Sequence, residues 1–167
     1  NMKGAYLGPS YDENEDEQSL KKQNAVYHKL NEDEIISNTT DALQKDMAIG
    51  WMQGRMEFGP RALGSRSIIA NPMSNKMQKQ LNLKVKYRES FRPFAPSILF
   101  EELNKWFDIN ERSPYMMLVA KVNKEIRKVI SPEEELLFGI DKLNISRSKI
   151  PAVTHVDYSA RIQTVHN

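Results

Sequence analysis

The chain of 167 residues is 40% hydrophobic and 8% aromatic, which excludes a disordered protein and supports one domain with a real core, not two large ones. It has no cysteine, which excludes disulfides, thiolate zinc sites and a cysteine nucleophile, and no apolar run of about eighteen residues able to span a membrane. The formal net charge of +2 hides an asymmetry: residues 1–50 carry five Lys/Arg against ten Asp/Glu, 51–100 nine against two, and 101–167 ten against ten. An excess of +7 over the middle segment suits an anionic ligand, small or polymeric, or a solvated basic face. No secretory signal opens the chain, so a cytoplasmic location is expected. Asn1 ahead of Met2 reads as an expression scar.

In chain order, Tyr6–Tyr11 and the acidic run Asp12–Glu17 read as a strand end and loop. Glu32–Asp46 is predicted to be a helix capped by Asn31, with acidic residues in its first turn and Ile35, Ile36, Thr39 and Leu43 at helical spacing. Met47–Met52 reads as a buried strand and Ile68–Ala70 as a short one. Ser74–Leu83 is a predicted helix with Met77, Leu81 and Leu83 toward the core. Ser97–Phe100 reads as a strand, Glu101–Phe107 as a short helix, and Tyr115–Val122 as an apolar strand. Residues 123–149 are charged and irregular, with a short helix expected over Lys124–Lys128. Ile150–Val165 reads as strand, turn and strand. If the two strands pair, His155, Asp157, Arg161 and Gln163 line one pocket wall. Alternating helices and strands point to an α/β or α+β layered domain.

Between the two apolar runs, Gly54, Gly59 and Gly64 alternate with Arg55, Arg61 and Arg66. Glycine allows a backbone amide close to a ligand, and arginine offers planar donors to phosphate or carboxylate. The stretch is either an anion-binding loop or a turn with solvated arginines. No P-loop, nucleophile elbow or HExxH is present. His155 and Asp157 alone make a poor metal site, and a hydrogen-bonded pair is the expected arrangement. A second basic cluster, Lys84, Lys86, Arg88 and Arg92, is interleaved with Tyr87, Phe91 and Phe94, the last expected in the core. Arginine-rich surroundings suit carbamoyl, carboxyl or phosphoryl transfer, which needs cationic donors around developing charge.

Four blocks, EFGPRALGSRSIIANP (Glu57–Pro72), the run Leu81–Leu99, the turn Ser113-Pro114-Tyr115-Met116, and IPAVTHVDYSARIQTV (Ile150–Val165), resemble the C-terminal region of the nodulation-type and antibiotic O-carbamoyltransferases. The resemblance implies an α/β (α+β) fold: a single YrdC-like domain with a twisted, mostly mixed open sheet flanked by helices. It would occupy 25–167, after an acidic connecting segment over 1–24. It further implies an enzyme that binds ATP, with Mg²⁺, and carbamoyl phosphate, forms carbamoyl-adenylate, and passes the carbamoyl group to a hydroxyl of a small-molecule acceptor on a separate metal-containing N-terminal domain. Arg66, Arg92 and His155 are the implied catalytic residues. Arg55, Gly59, Arg61, Gly64, Ser65, Lys84, Arg88, Asp157, Arg161 and Gln163 are the implied substrate- and nucleotide-binding residues, with no metal ligand among them. The N-terminal domain and a following LNTSFN-like segment have no counterpart here, so complete transfer is not expected of this chain alone. The alternative reading is a duplex-RNA or transfer-RNA-binding YrdC-like module.

Overall fold

The computed structural model describes residues 4–166, so the Asn1–Met2 pair lies outside it. The described residues form two compact units, one ending at Ile69 and one beginning at Ala70. Among them are six α-helices and two small sheets, a mixed α/β content in keeping with the expected fold class.

In the first unit the acidic run is a helix, not a loop: α1 spans Glu13–Lys22. Asp12 caps it, its carboxylate accepting from the Glu15 amide at 2.9 Å while Glu15 accepts from the Asp12 amide at 2.9 Å. Acidic residues fill its first turn and Lys21 and Lys22 its last, complementing the helix dipole. The capping box was the signal, and reading the acidic residues as a charge run obscured it. The second helix, α2 (Glu32–Gln44), forms as predicted behind the Asn31 cap, whose side chain accepts from the Glu34 amide. Neither helix buries a residue, and Ile35 and Ile36 are exposed. Strand β1 (Ile49–Met52) pairs antiparallel with β2 (Arg66–Ile69), Met52 opposite Arg66. The predicted buried strand is therefore half-buried only, because a two-stranded ribbon leaves a face open.

The second unit is built on a three-stranded mixed sheet. Its centre is β5 (Ser159–Val165), parallel to β3 (Ser97–Leu99) on one side and antiparallel to β4 (Leu118–Lys121) on the other. Leu103, Phe107, Ala120, Val122, Ile150, Val153, Ala160 and Ile162 form the main core. Helix α3 (Met77–Lys84) drives Met77 and Leu81 onto Ala152 as a second cluster, with Phe94 packed against both. Leu83 is exposed, contrary to expectation, since it lies off the Met77–Leu81 stripe. A 3₁₀ turn, Phe100–Glu102, runs into α4 (Leu103–Trp106), and another covers Lys124–Ile126. The region expected to be irregular adds α5 (Pro132–Glu135), with a Ser131–Glu134 capping box, and α6 (Gly139–Leu143). Strand β4 starts later than predicted because the Ser113–Met116 turn takes its first residues: the Met116 amide donates to the Ser113 carbonyl with Met116 at φ 55°.

The strand–turn–strand expected over 150–165 is one strand only. Pro151 has no N–H for a ladder and starts a 3₁₀ turn, Pro151–Val153. A tight turn follows, in which the His155 amide donates to the Ser159 carbonyl and the Tyr158 amide to the His155 carbonyl. His155 and Asp157 therefore sit in a turn, while Gln163 lies in the sheet. The four residues do not share a wall.

Candidate functional site

The glycine–arginine loop connects β1 to β2 and folds around a residue that sequence reasoning passed over. Glu57 is 7% exposed, and its Oε1 accepts from the amides of Leu63 at 2.7 Å, Ser65 at 2.8 Å and Arg66 at 3.2 Å. Burial raises the carboxyl's pKa, but these amide bonds outweigh it and hold the group below its ordinary value. The Gly64 amide donates to Ser67 Oγ at 3.0 Å. Four successive amides, Leu63 to Arg66, are thus satisfied inside the loop, three by the Glu57 carboxylate and one by the Ser67 hydroxyl. Gly59 and Gly64, at φ 134° and 111°, supply the backbone angles of the turns with open space where a Cβ would stand, whereas at Gly8 a Cβ would lie 2.8 Å from the Met56 carbonyl oxygen.

The three loop arginines differ in what they have left to offer. Arg66 spends its guanidinium on the carbonyls of Gln53, Gly54 and Ser65 at 2.8–3.2 Å, cross-linking both ends of the loop. Arg55 donates one bond, to the Leu7 carbonyl at 3.1 Å. Arg61 is half-buried and has no hydrogen-bond or ionic partner among the described residues. Tyr6, Gln53, Gly54, Arg55 and Ser65 line an open hollow of about 440 Å³. The Tyr6 hydroxyl donates to the Leu63 carbonyl at 2.9 Å, and burial followed by the Glu57 charge raises its pKa. The division of labour predicts that Arg66→Ala lowers stability by about 1–3 kcal/mol, while Arg61→Ala changes it by less than about 0.5 kcal/mol and weakens anion binding; urea unfolding and calorimetry of the two variants separate these effects.

In the second unit the basic run 84–92 is held by one face of α3. Gln78 and Asn82, four residues apart, present their amides to three successive carbonyls. Gln78 Nε2 donates to Phe91 at 2.8 Å, and Asn82 Nδ2 donates to Ser90 at 3.1 Å and Arg92 at 2.8 Å. Asn82 is fully buried, and its Oδ1 accepts from Arg88 Nε at 2.6 Å. Arg88 also lies over the Phe94 ring at 5.0 Å. It is therefore immobilised through Nε and its guanidinium face, with both Nη groups lacking a protein acceptor among the described residues. Arg92 is exposed and loosely paired with Glu89 at 3.7 Å; Lys84 is exposed on the last turn of α3. The spacing of Gln78 and Asn82 was available in the sequence, but side-chain amides among the glutamines and lysines of this helix carry no charge and match no motif.

His155 Nδ1 lies 3.2 Å from Asp157 Oδ1, the expected hydrogen-bonded pair. The Ser159 hydroxyl, then Lys121, whose Nζ donates to Asp157 Oδ2 at 2.9 Å, hold the Asp157 carboxyl well below the usual carboxylate range. Asp157 is solvent-exposed, so Asp157→Asn is expected to cost less than about 1 kcal/mol, measurable as a small shift in urea midpoint that vanishes when the comparison is made in acid. Arg161 is exposed on β5, and Gln163 is buried, accepting from Ser97 Oγ at 3.1 Å. Gln163 thus joins β3 to β5 through its side-chain oxygen. His155 lines a separate cavity of about 130 Å³ together with Asn75, Gln78, Arg147 and Thr154.

Residues 40–167 match the family model described as Carbamoyltransferase C-terminus. The chain belongs to the carbamoyltransferase C-terminal family. Every candidate site residue from Arg55 to Gln163 falls within the matched range, and α1 precedes it. An uncharacterized protein of Synechocystis sp. is 53% identical over 99% of this chain and 27% of its own length. The nodulation protein NolO of Bradyrhizobium diazoefficiens is 39% identical over 80% of this chain and 21% of its own. The 3'-hydroxymethylcephem-O-carbamoyltransferase of Streptomyces clavuligerus is 38% identical over 75% of this chain and 20% of its own. This carbamoyltransferase C-terminal chain therefore spans about a quarter or less of these relatives' length. Among the described residues no helix is long and apolar enough to cross a membrane.

Proposed function

We infer that this carbamoyltransferase C-terminal chain binds ATP and carbamoyl phosphate and forms carbamoyl-adenylate. The carbamoyl group then passes to a hydroxyl of a small acceptor held by a domain outside the chain, in the cytoplasm. The family match over residues 40–167 carries this reading. The Streptomyces relative's name, with its hydroxymethyl group and O-carbamoyl product, supports a hydroxyl acceptor.

In chemical terms the carbamoyl group ends on the α-phosphate of ATP while pyrophosphate and phosphate leave, one water being consumed. Such transfers depend on positioned cations around developing negative charge more than on a strong base. Taken unit by unit, Arg61 in the first and Arg88 in the second are each suited to hold an anion, because each retains donor groups without an acceptor among the described residues. Arg55, Lys84 and Arg92 add positive charge at exposed positions. The bonds of Arg66 to the carbonyls of Gln53, Gly54 and Ser65 support a positioning role for it, acting through the loop it cross-links. Among the described residues no cluster of three or more His, Asp or Glu could hold a metal ion. Mg²⁺ would therefore enter with the ATP phosphates, as is usual for this ion.

Pyrophosphate release from ATP by the chain is expected to require carbamoyl phosphate, and Arg88→Ala is expected to lower it about tenfold or more. Absence of any binding heat with both ligands present would overturn the reading. A band-shift with duplex RNA at low and moderate salt tests the RNA-binding alternative, for which high affinity with a steep salt slope is the signature.

A further inference from the structure

The cavity beside α3 in the second unit is lined by a buried cation whose carboxylate neighbour, Glu134, acts on it only from beyond ion-pair distance. Arg147 is 5% exposed and lines it. Its guanidinium is anchored by main-chain carbonyls: Nη1 donates to Ile145 at 3.0 Å and Leu143 at 3.5 Å, and Nη2 donates to Lys142. Among the described residues no carboxylate lies within ion-pair distance of it. Buried charges are normally paired directly, so a buried guanidinium held by neutral carbonyls, with no carboxylate in contact, leaves the adjoining cavity positive in sign and suited to an anion.

The rest of the lining agrees in sign. None of the residues around the cavity is acidic. His155, its Nδ1 engaged by Asp157, brings an imidazole whose Nε2 is the nitrogen left over. Asn75 and Ser146 stand at the wall, Ser146 Oγ donating to Asn75 Oδ1 at 2.8 Å and accepting from Lys128 Nζ at 2.8 Å. This brings an ammonium within one hydroxyl of the cavity. Size selects the ligand further. A volume of about 130 Å³ is well under the roughly 300 Å³ at which pockets for drug-sized ligands begin, so the cavity suits a phosphate-sized group better than a nucleoside.

We propose that the cavity lined by Arg147, His155, Asn75, Gln78 and Thr154 is a binding site for a small phosphate-type oxyanion, either the phosphoryl end of carbamoyl phosphate or free inorganic phosphate. The carbamoyl phosphate assignment rests on the proposed function; the oxyanion site itself rests on the cavity. It assigns the small phosphate compound to residues other than the basic run Lys84, Arg88 and Arg92 of the same unit, a distinction that charge and motif position alone did not make.

The test is a ¹H–¹⁵N NMR titration of the whole chain with inorganic phosphate, then with carbamoyl phosphate. Saturable shifts of the Ser146, Arg147, Thr154 and His155 amides are expected. Arg147→Met should abolish them. Because that substitution also removes three carbonyl bonds, Asn75→Leu and His155→Leu serve as wall variants, each keeping the native spectrum and weakening phosphate binding about tenfold. Competition by carbamoyl phosphate identifies the donor as the natural occupant, whereas binding of phosphate alone identifies an inorganic phosphate site. Shifts confined to residues 54–66 or 84–92, or no saturable shift, would overturn the proposal. Carbamoyl-phosphate-dependent pyrophosphate release would then still uphold the proposed function; cavity binding without that release would sink the proposed function and leave the oxyanion site standing.

Discussion

Replacing Glu57 with alanine is expected to lower the stability of the first unit by about 3–5 kcal/mol, the range for stranding several buried partners of one charged group. The substitution leaves the amides of Leu63, Ser65 and Arg66 without an acceptor in a loop where Glu57 is 7% exposed. Hydrogen exchange should show these three amides losing protection. Glu57→Gln keeps an oxygen acceptor but not the charge, so a smaller loss of about 1–3 kcal/mol is expected. The pH dependence has a definite sign. The native pKa of Glu57 is depressed, so its contribution is complete above the ordinary glutamate range and is lost as pH falls through the native value. Glu57→Gln removes that acid-labile part. Unchanged protection of the three amides in Glu57→Ala would show that the carboxylate does not organise the loop.

Asn82→Ala should have the second large effect, on both stability and ligand binding. Asn82 is fully buried and makes three side-chain bonds, to the carbonyls of Ser90 and Arg92 and from Arg88 Nε. Removing it leaves these groups unpaired beside the Met77–Leu81–Ala152 cluster, at a cost of about 2–4 kcal/mol. Arg88 then loses its anchor and its donors lose a fixed direction. Affinity for ATP, by calorimetry at a temperature where the variant is folded, should fall about tenfold or more even though no ligand-facing cation has been removed. Asn82→Asp tests geometry: it retains acceptors for Arg88 but cannot donate to the two carbonyls. Affinity within twofold of wild type in a folded Asn82→Ala would remove the positioning role.

Part of this arrangement was legible along the chain. The Asn31 cap marked the start of α2, and the Met77–Leu81 spacing marked the buried face of α3. Both are local signals that depend on residues three or four apart. Local reading failed where the decisive partner was elsewhere. Ile150–Val153 reads as a strand by composition, but Pro151 turns it away from the ladder. Gln163 alternates with apolar residues as a pocket residue would, and yet it faces Ser97 on the neighbouring strand.

Residue order alone carried the family, through long blocks of specific residues, together with the α/β class and the concentration of basic charge in the middle third. Which cations remain available depends on folding, because it is folding that brings carbonyls up to some guanidinium groups and not to others. Arg66 and Arg61 are indistinguishable in sequence, five residues apart in one glycine-rich loop, but three carbonyls consume the first and none consumes the second. Glu57, one acid among many arginines, and Arg147, one base in a charged stretch, acquire meaning only through burial. A buried charge must find its partners in three dimensions: Glu57 finds three amides, and Arg147 finds carbonyls and a cavity.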